Sequence, residues 1–393
     1  MSQINNRHNI LIAGDLFPSK KNIPLFKDGN ALEIFGEKIL GLFRDASFSL
    51  INLEGALTSS DIPQIKTGPI IKAPETCIEG IKGLGVTAVS LANNHITDYG
   101  RDGFLDTVRT LDCNGIEHIG AGESQNDINN YLSIVIGNRR VCIYTVSELF
   151  YNQATTTSPG VNLYDEYVVC NELKSLKQKH DYLIVIYHGG TEGFPYPTPL
   201  LQKRFHRMAD CGADFITAQH SHCIGCYETY NGSYLLYGQG NFLFARMKKD
   251  ITKHGLISEI CFDDNGIKIH NHLVNVSQDE VVRYDDLQDF SSFHARSEDI
   301  LDFENIQQKF RQYCFNDSVV KNTILKSFRG CPDSRLYNLY LRLSQKLFGK
   351  RPLEQYRRDQ LMRMSRCMES ERYAENMQAC IQFMMENEMW QGH

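Results

Sequence analysis

Short apolar runs that stop abruptly on a carboxylate, amide or imidazole recur through the first two thirds of this chain, and no other feature restricts its fold as much. Asn9-Ile10-Leu11-Ile12-Ala13 runs into Gly14-Asp15, and Phe48-Ser49-Leu50-Ile51 into Asn52-Leu53-Glu54. Tyr182-Leu183-Ile184-Val185-Ile186-Tyr187 runs into His188-Gly189-Gly190, and Ala213-Asp214-Phe215-Ile216-Thr217 leads toward His220-Ser221-His222. Asn93-Asn94-His95 and Gly240-Asn241 complete the set. Runs this short and this apolar read as buried strands. The polar groups then collect at one rim of a sheet, which is where open α/β sheets bind ligands.

Carboxylate oxygen, amide oxygen and neutral imidazole nitrogen are donors to Mn, Fe or Zn. The set is large enough for two divalent ions with a shared ligand, an arrangement in which a hydroxide bridging the ions serves as nucleophile. A single histidine at a strand end is more often a satisfied structural residue. The weight lies in the collection, because Asn94-His95 and His220-x-His222 alternate with strand signals in the order a layered metal site requires.

From about Asn9 to Asn275 these residues resemble the CapA family of bacterial capsule and poly-γ-glutamate synthesis proteins, within the calcineurin-like metallophosphoesterase superfamily. The resemblance is carried by Gly14-Asp15, Asn52-Leu53-Glu54, Ala92-Asn93-Asn94-His95 with Asp98-Tyr99-Gly100, Gly120-Ala121-Gly122, His188-Gly189-Gly190 with Glu192, Gly212-Ala213-Asp214 leading into His220-Ser221-His222, and Gly238-Gln239-Gly240-Asn241-Phe242. It implies a four-layer αββα sandwich of the metallophosphoesterase type, where periodicity alone gives only α/β.

The resemblance also implies roles. Asp15 and His222 are expected on a first ion, Glu54 as the bridging carboxylate where the superfamily usually has Asp, and Asn94, His188 and His220 on a second ion. His95 resembles the residue that protonates the leaving oxygen. Lys72 resembles part of a loop near the metal rim, where a cation suits an anionic substrate; a solvated loop lysine is the plainer alternative. Glu192 and Tyr196 are candidates to contact substrate or to order their loop, and Asn241 to hydrogen-bond a metal ligand. Two departures stand out: Phe17 occupies the place of the imidazole in the usual Asp-x-His, and Gln219 replaces the usual Gly before His220.

The implied activity is metal-dependent hydrolysis of phosphate esters, on an anionic small molecule or polymer precursor. The alternatives are amide or acyl-phosphate chemistry in capsule or peptide polymer biosynthesis, and a non-catalytic assembly protein that retains the fold. The formal charge of −6 argues against nucleic acid as partner. The sequence contains no P-loop. The amino-terminal Met-Ser-Gln-Ile-Asn-Asn-Arg-His lacks a signal-peptide core, and no apolar run reaches membrane-spanning length. With scattered cysteines such as Cys142 and Cys261, this favours a cytoplasmic protein with reduced thiols. Cys223 and Cys226 form a C-x-x-C pair, read as small residues lining the metal loop rather than as a redox or zinc pair.

Apolar spacing predicts helices over 30–43, 102–113 and 198–211. Hairpins are expected around Asn231-Gly232 and around Asp263-Asp264-Asn265-Gly266. From about Tyr284 glycine becomes scarce and helical spacing takes over, so residues 1–283 are read as one domain and 284–393 as a helical appendage. The methionine-rich end, from Leu361, Met362, Met364 and Met368 through Met377, Met384 and Met385 to Met389 and Trp390, suits helix core, a homodimer contact or a partner enzyme.

Overall fold

The apolar side chains of the strand Asn9–Phe17 diverge into two different cores. Ile10 and Ile12 enter one, Leu11 and Ala13 the other, which is the period-two alternation of a strand buried on both faces. Such a strand needs a covering layer on each side. The computed structural model, which describes residues 8–66, 68–150, 152–244, 250–264, 266–316 and 371–386, supplies both.

In the first sheet Asn9–Phe17, Phe48–Leu53, Ala88–Ser90 and Glu117–Ile119 are parallel neighbours. His254–Asp263, Gly266–Val276 and Val282–Tyr284 extend it antiparallel on the other side, and Asn241–Phe244 pairs with the end of Asn9–Phe17. In the second sheet Arg139–Ser147, Tyr182–Gly189, Phe215–His220 and Ser233–Leu236 run parallel, with Tyr131–Ile136 and Tyr227–Tyr230 antiparallel at the edges.

The sheets meet face to face. Ile10, Ile12 and Leu50 of the first share a core with Val141, Ile143, Ile184, Ile186 and Phe215 of the second. On the outer face of the first sheet, Leu11, Ala13, Ile51 and Val89 pack against Ile34, Phe35 and Ile39 of the helix Ala31–Asp45, Ile81 of Ile78–Leu84, and Phe104 and Leu111 of Gly100–Cys113. On the outer face of the second, Cys142, Tyr144, Leu183, Val185 and Ile216 pack against Val169 and Leu173 of Glu166–Lys177 and Phe205 and Met208 of Pro199–Asp210. These are the four layers, αββα, that the family resemblance implies.

Local chemistry sets the element ends. Asn30 caps Ala31–Asp45 by accepting from the Glu33 N–H, and Thr198 caps Pro199–Asp210 by accepting from that of Leu201. Leu32, counted in the first helix's apolar set, is 58% exposed. The hairpin Tyr227–Tyr230 with Ser233–Leu236 turns at Asn231 and Gly232, both at positive φ (49° and 83°), as its dipeptide predicts.

Two units divide the chain: one takes residues up to 64 and 70–306, the other 65–69 and 307 onward. After Tyr284 come the helices Ser291–Asp299 and Phe303–Asn316, and Phe293, Ile300 and Ile306 are buried in the cores of the first unit. In the second unit Arg311 pairs with Glu386 at 2.8 Å, and the rings of Phe315 and Phe383 stack 4.8 Å apart, joining Phe303–Asn316 to Glu371–Glu386. Leu361, Met362, Met364, Met368, Met389 and Trp390 lie outside the described residues. Among the described residues no helix is long and apolar enough to cross a membrane.

Candidate metal centre

All six expected ligands stand at the C-terminal ends of parallel strands or in the loops that follow them. Three features of the backbone put them there. Gly14 lies where the pairing of Asn9–Phe17 shifts register, and a Cβ on it would stand 2.2 Å from the Gly240 carbonyl oxygen; only glycine allows that approach. Next, Glu54 leaves its strand with its N–H donating to Leu16 O (3.0 Å). Finally, His220 and His222 both have positive φ, 91° and 55°, a conformation that non-glycine residues adopt at a cost and that concentrates at functional sites.

Gln219 therefore does not abolish the turn, because the left-handed residues are the histidines themselves. Its side chain ties the sheets together instead, Nε2 donating to Ala13 O (3.1 Å) and Gln239 Oε1 (2.9 Å).

Glu54 is the centre of the arrangement. It is fully buried, and two donor groups share it: Glu54, His188 and His220, and Asp15, Glu54 and His222, each with ligand atoms within 4.8 Å of one another. Glu54 Oε1 lies 3.7 Å from His188 Nε2 and 4.0 Å from His222 Nε2. Asn94 joins the former group, its Oδ1 2.9 Å from His188 Nε2.

Neither carboxylate oxygen of Glu54 has a hydrogen-bond partner among the described residues. A buried carboxylate without donors is costly unless a cation or proton compensates it. Burial, with the neighbouring Asp15 charge, raises its pKa well above the usual range. For Asp15 burial acts in the same direction, but hydrogen bonding and charge from His222, with His188 and Asn52, hold the carboxyl below its usual value. Burial alone would depress His222; the charges of Glu54 and Asp15 instead push the imidazole up to about 10. The donor chemistry and the orphaned carboxylate fit two divalent ions, one at each group.

Several groups orient these donors. Asn241 Nδ2 donates to Thr252 O (2.7 Å), which turns Oδ1 toward His222 Nδ1 at 2.9 Å. Nδ1 thus carries the proton it donates, and Nε2 faces Glu54. Asn52, present in the second motif but given no role by sequence reasoning, donates from Nδ2 to Asp15 Oδ1 (2.7 Å) and lies 3.3 Å from His188 Nδ1. Asn93 donates to Asn52 Oδ1 and Leu53 O, and its own Oδ1 accepts the His95 N–H. Phe150, without any motif to mark it, lays its ring 5.0 Å from that of His220.

The remaining candidates divide. Buried His95 places Nδ1 2.7 Å from Asp98 Oδ2. Glu192 reaches the centre, with Oε1 3.6 Å from His220 Nε2. Lys72 points elsewhere: Nζ lies 2.7 Å from Asp61 Oδ1 and over the Tyr99 ring, although its neighbour Ile71 donates its N–H to Asp98. The Tyr196 hydroxyl donates to Asp299 Oδ2 (2.8 Å). Phe17 packs against Phe244, whose ring stacks on His222 at 4.6 Å, so an aromatic wall stands on that side of His222. Cys223 and Cys226 are buried free thiols, and burial pushes the Cys226 thiol far up.

Comparison with known proteins places the chain. The family described as "Bacterial capsule synthesis protein PGA_cap" matches residues 9–246. The capsule biosynthesis protein CapA of Bacillus anthracis is 29% identical over 205 residues, covering 51% of this chain and 50% of that protein. A protein of Mycobacterium tuberculosis named as a probable polyglutamine synthesis accessory protein is 29% identical over 206 residues, covering 49% of this chain and 54% of its own length. The chain thus spans about half the length of these curated relatives. Among solved structures, one of a novel phosphatase from Mycoplasma pneumoniae covers 72% of this chain and 98% of its own at a TM-score of 0.42 and 14% identity. The chain belongs to the bacterial capsule synthesis protein family PGA_cap.

Proposed function

We propose that this protein is a metal-dependent hydrolase of phosphate esters, serving a capsule or poly-glutamate synthesis system through an anionic precursor. The observation that carries the proposal is Glu54, a buried carboxylate with no hydrogen-bond donor among the described residues and shared by two donor groups. Asp15 and His222 would hold one ion, Asn94, His188 and His220 the other, with Glu54 between them. Divalent ions there supply Lewis acidity toward a phosphoryl oxygen and a nucleophile at neutral pH.

The protein's own groups do the rest. Asp98, against His95 Nδ1, fixes the tautomer and orientation of that ring. Nε2 is then the atom that hands a proton to the departing oxygen. Asn52 and Asn241 hold Asp15, His188 and His222 in place, and Phe150 and Phe244 line the imidazoles with apolar surface, which strengthens electrostatic interactions inside the site.

The test joins metal content to turnover. After Mn supplementation, elemental mass spectrometry should find two ions per chain, falling to one or fewer in a His188→Ala, His220→Ala double variant. His95→Ala should keep its metal while losing about a hundred- to ten-thousand-fold in kcat on aryl phosphates. Full metal content without phosphoester hydrolysis would overturn the proposal and favour an accessory role of the kind the mycobacterial relative's name describes.

A further inference from the structure

Glu192 belongs to neither three-residue group, and we infer that it is an additional ligand of the ion held by Asn94, His188, His220 and Glu54. The inference rests on the metal reading above and deepens it, replacing the expectation that Glu192 contacts substrate.

The loop that carries Glu192 is built to bring it there. Gly190 and Gly193, at φ 104° and 72°, bracket a tight turn, closed by the Phe194 N–H donating to Thr191 O (3.2 Å). The Gly193 N–H donates to Ser221 O at 2.8 Å, so the turn is docked on the backbone between His220 and His222. From that position Glu192 Oε1 stands 3.6 Å from His220 Nε2. His188 Nε2 and Glu54 Oε1, two donors of the same group, are 3.7 Å apart. Glu192 is therefore as near to one donor of the group, His220, as Glu54 is to His188.

Its setting differs from theirs in one respect. Glu54 is fully buried, whereas the Glu192 side chain is 48% exposed and enters from solvent. The other donors of this group are an amide, two imidazoles and a shared carboxylate, which together offset little of a dication's charge. A second carboxylate on the open side balances that charge and gives a five-donor oxygen and nitrogen set suited to manganese. Among the described residues the group of Asp15, Glu54 and His222 has no such addition, and Phe17 packs on Phe244, which stacks on His222. The ion beside Glu192 should thus be the tighter of the two.

Titration of the metal-depleted protein with Mn2+, followed by calorimetry and by the electron paramagnetic resonance of the unbound ion, separates the possibilities. Wild type should show a tight and a weak class of site. Glu192→Gln, which keeps shape and sits at the surface, should weaken the tight class about ten- to a hundredfold and leave the weak class as it was. Circular dichroism should be unchanged. Unaltered manganese affinities with a raised KM for aryl phosphate would overturn the inference and return Glu192 to the substrate side. Unaltered affinities and unaltered KM would overturn it too. Absence of manganese binding by wild type would sink the metal reading itself, a failure visible before the variant is made.

Discussion

Gly14 shows how a single residue governs the centre without touching it. Its missing side chain lets Asn9–Phe17 and the Gly240 backbone close to a distance no Cβ tolerates, and Asp15 stands at the resulting register shift. Gly14→Ala should therefore cost about 1–3 kcal/mol in overpacking, read as a lower urea midpoint with unchanged slope. The variant should also lose manganese from the Asp15 group first. Gly85→Ala, where an added Cβ meets nothing within 4 Å but φ is 81°, supplies the comparison of pure backbone strain at a helix end, with metal content retained. A similar fit surrounds Phe17. A Cβ on Gly55 would stand 2.5 Å from its ring, so aromatic residue and glycine are matched across the strand ends, and a histidine at 17 would place a polar ring in an apolar slot.

Elements are joined to the site by a buried polar cluster that no motif announces. Arg204, on the helix Pro199–Asp210, donates to Tyr187 OH (2.8 Å) and Glu148 Oε1 (3.3 Å), and its guanidinium lies 4.7 Å from the Tyr164 ring centroid. Both charged side chains are 8% exposed. Glu148 in turn donates its N–H to His188 O, and its side chain packs on Gly189. The helix and the strand end carrying His188 are thereby one mechanical unit. Glu148→Gln would take a buried carboxylate away from the Arg204 guanidinium and should cost about 1–3 kcal/mol of stability, measured by urea unfolding. A change within about half a kcal/mol would show that Arg204 finds another partner. Sequence reasoning missed this cluster for a physical reason: a lone Arg on an amphipathic helix carries the same pattern whether it faces water or a buried carboxylate. Where pattern and burial coincide, as in Gly100–Cys113 or the hairpin at Asn231 and Gly232, the elements were legible. The four layers were legible through the family resemblance but not through periodicity, because a run such as Ile10-Leu11-Ile12-Ala13 announces burial on both faces without saying what covers each.

For the whole molecule, the centre couples protons, ions and stability. Glu54 and His222 both bind protons more tightly in the ion-free fold than in an unfolded chain, Glu54 through burial and His222 through the carboxylates around it. A group whose folded pKa is raised contributes stability that is present below its unfolded pKa and lost as pH climbs toward the folded one. For His222 that window runs from 6.5 to about 10. Asp15 has the opposite sign: its depressed pKa gives stability that disappears as pH falls through the folded value. The ion-free protein should then melt at progressively lower temperature between about pH 7 and about pH 9. Divalent ions bound at the centre would take the place of those protons, and each proton displaced would make the apparent affinity rise about tenfold per pH unit until the group has titrated. The thermal shift between manganese-loaded and chelator-treated protein should accordingly widen as pH rises over the same range. Calorimetry in buffers of different ionisation enthalpy should register proton release on binding. A shift that stays constant with pH, with no protons released, would mean that Glu54 and His222 do not meet the ions, and the ligand assignment would have to be redrawn around Asn94, His188 and His220 alone.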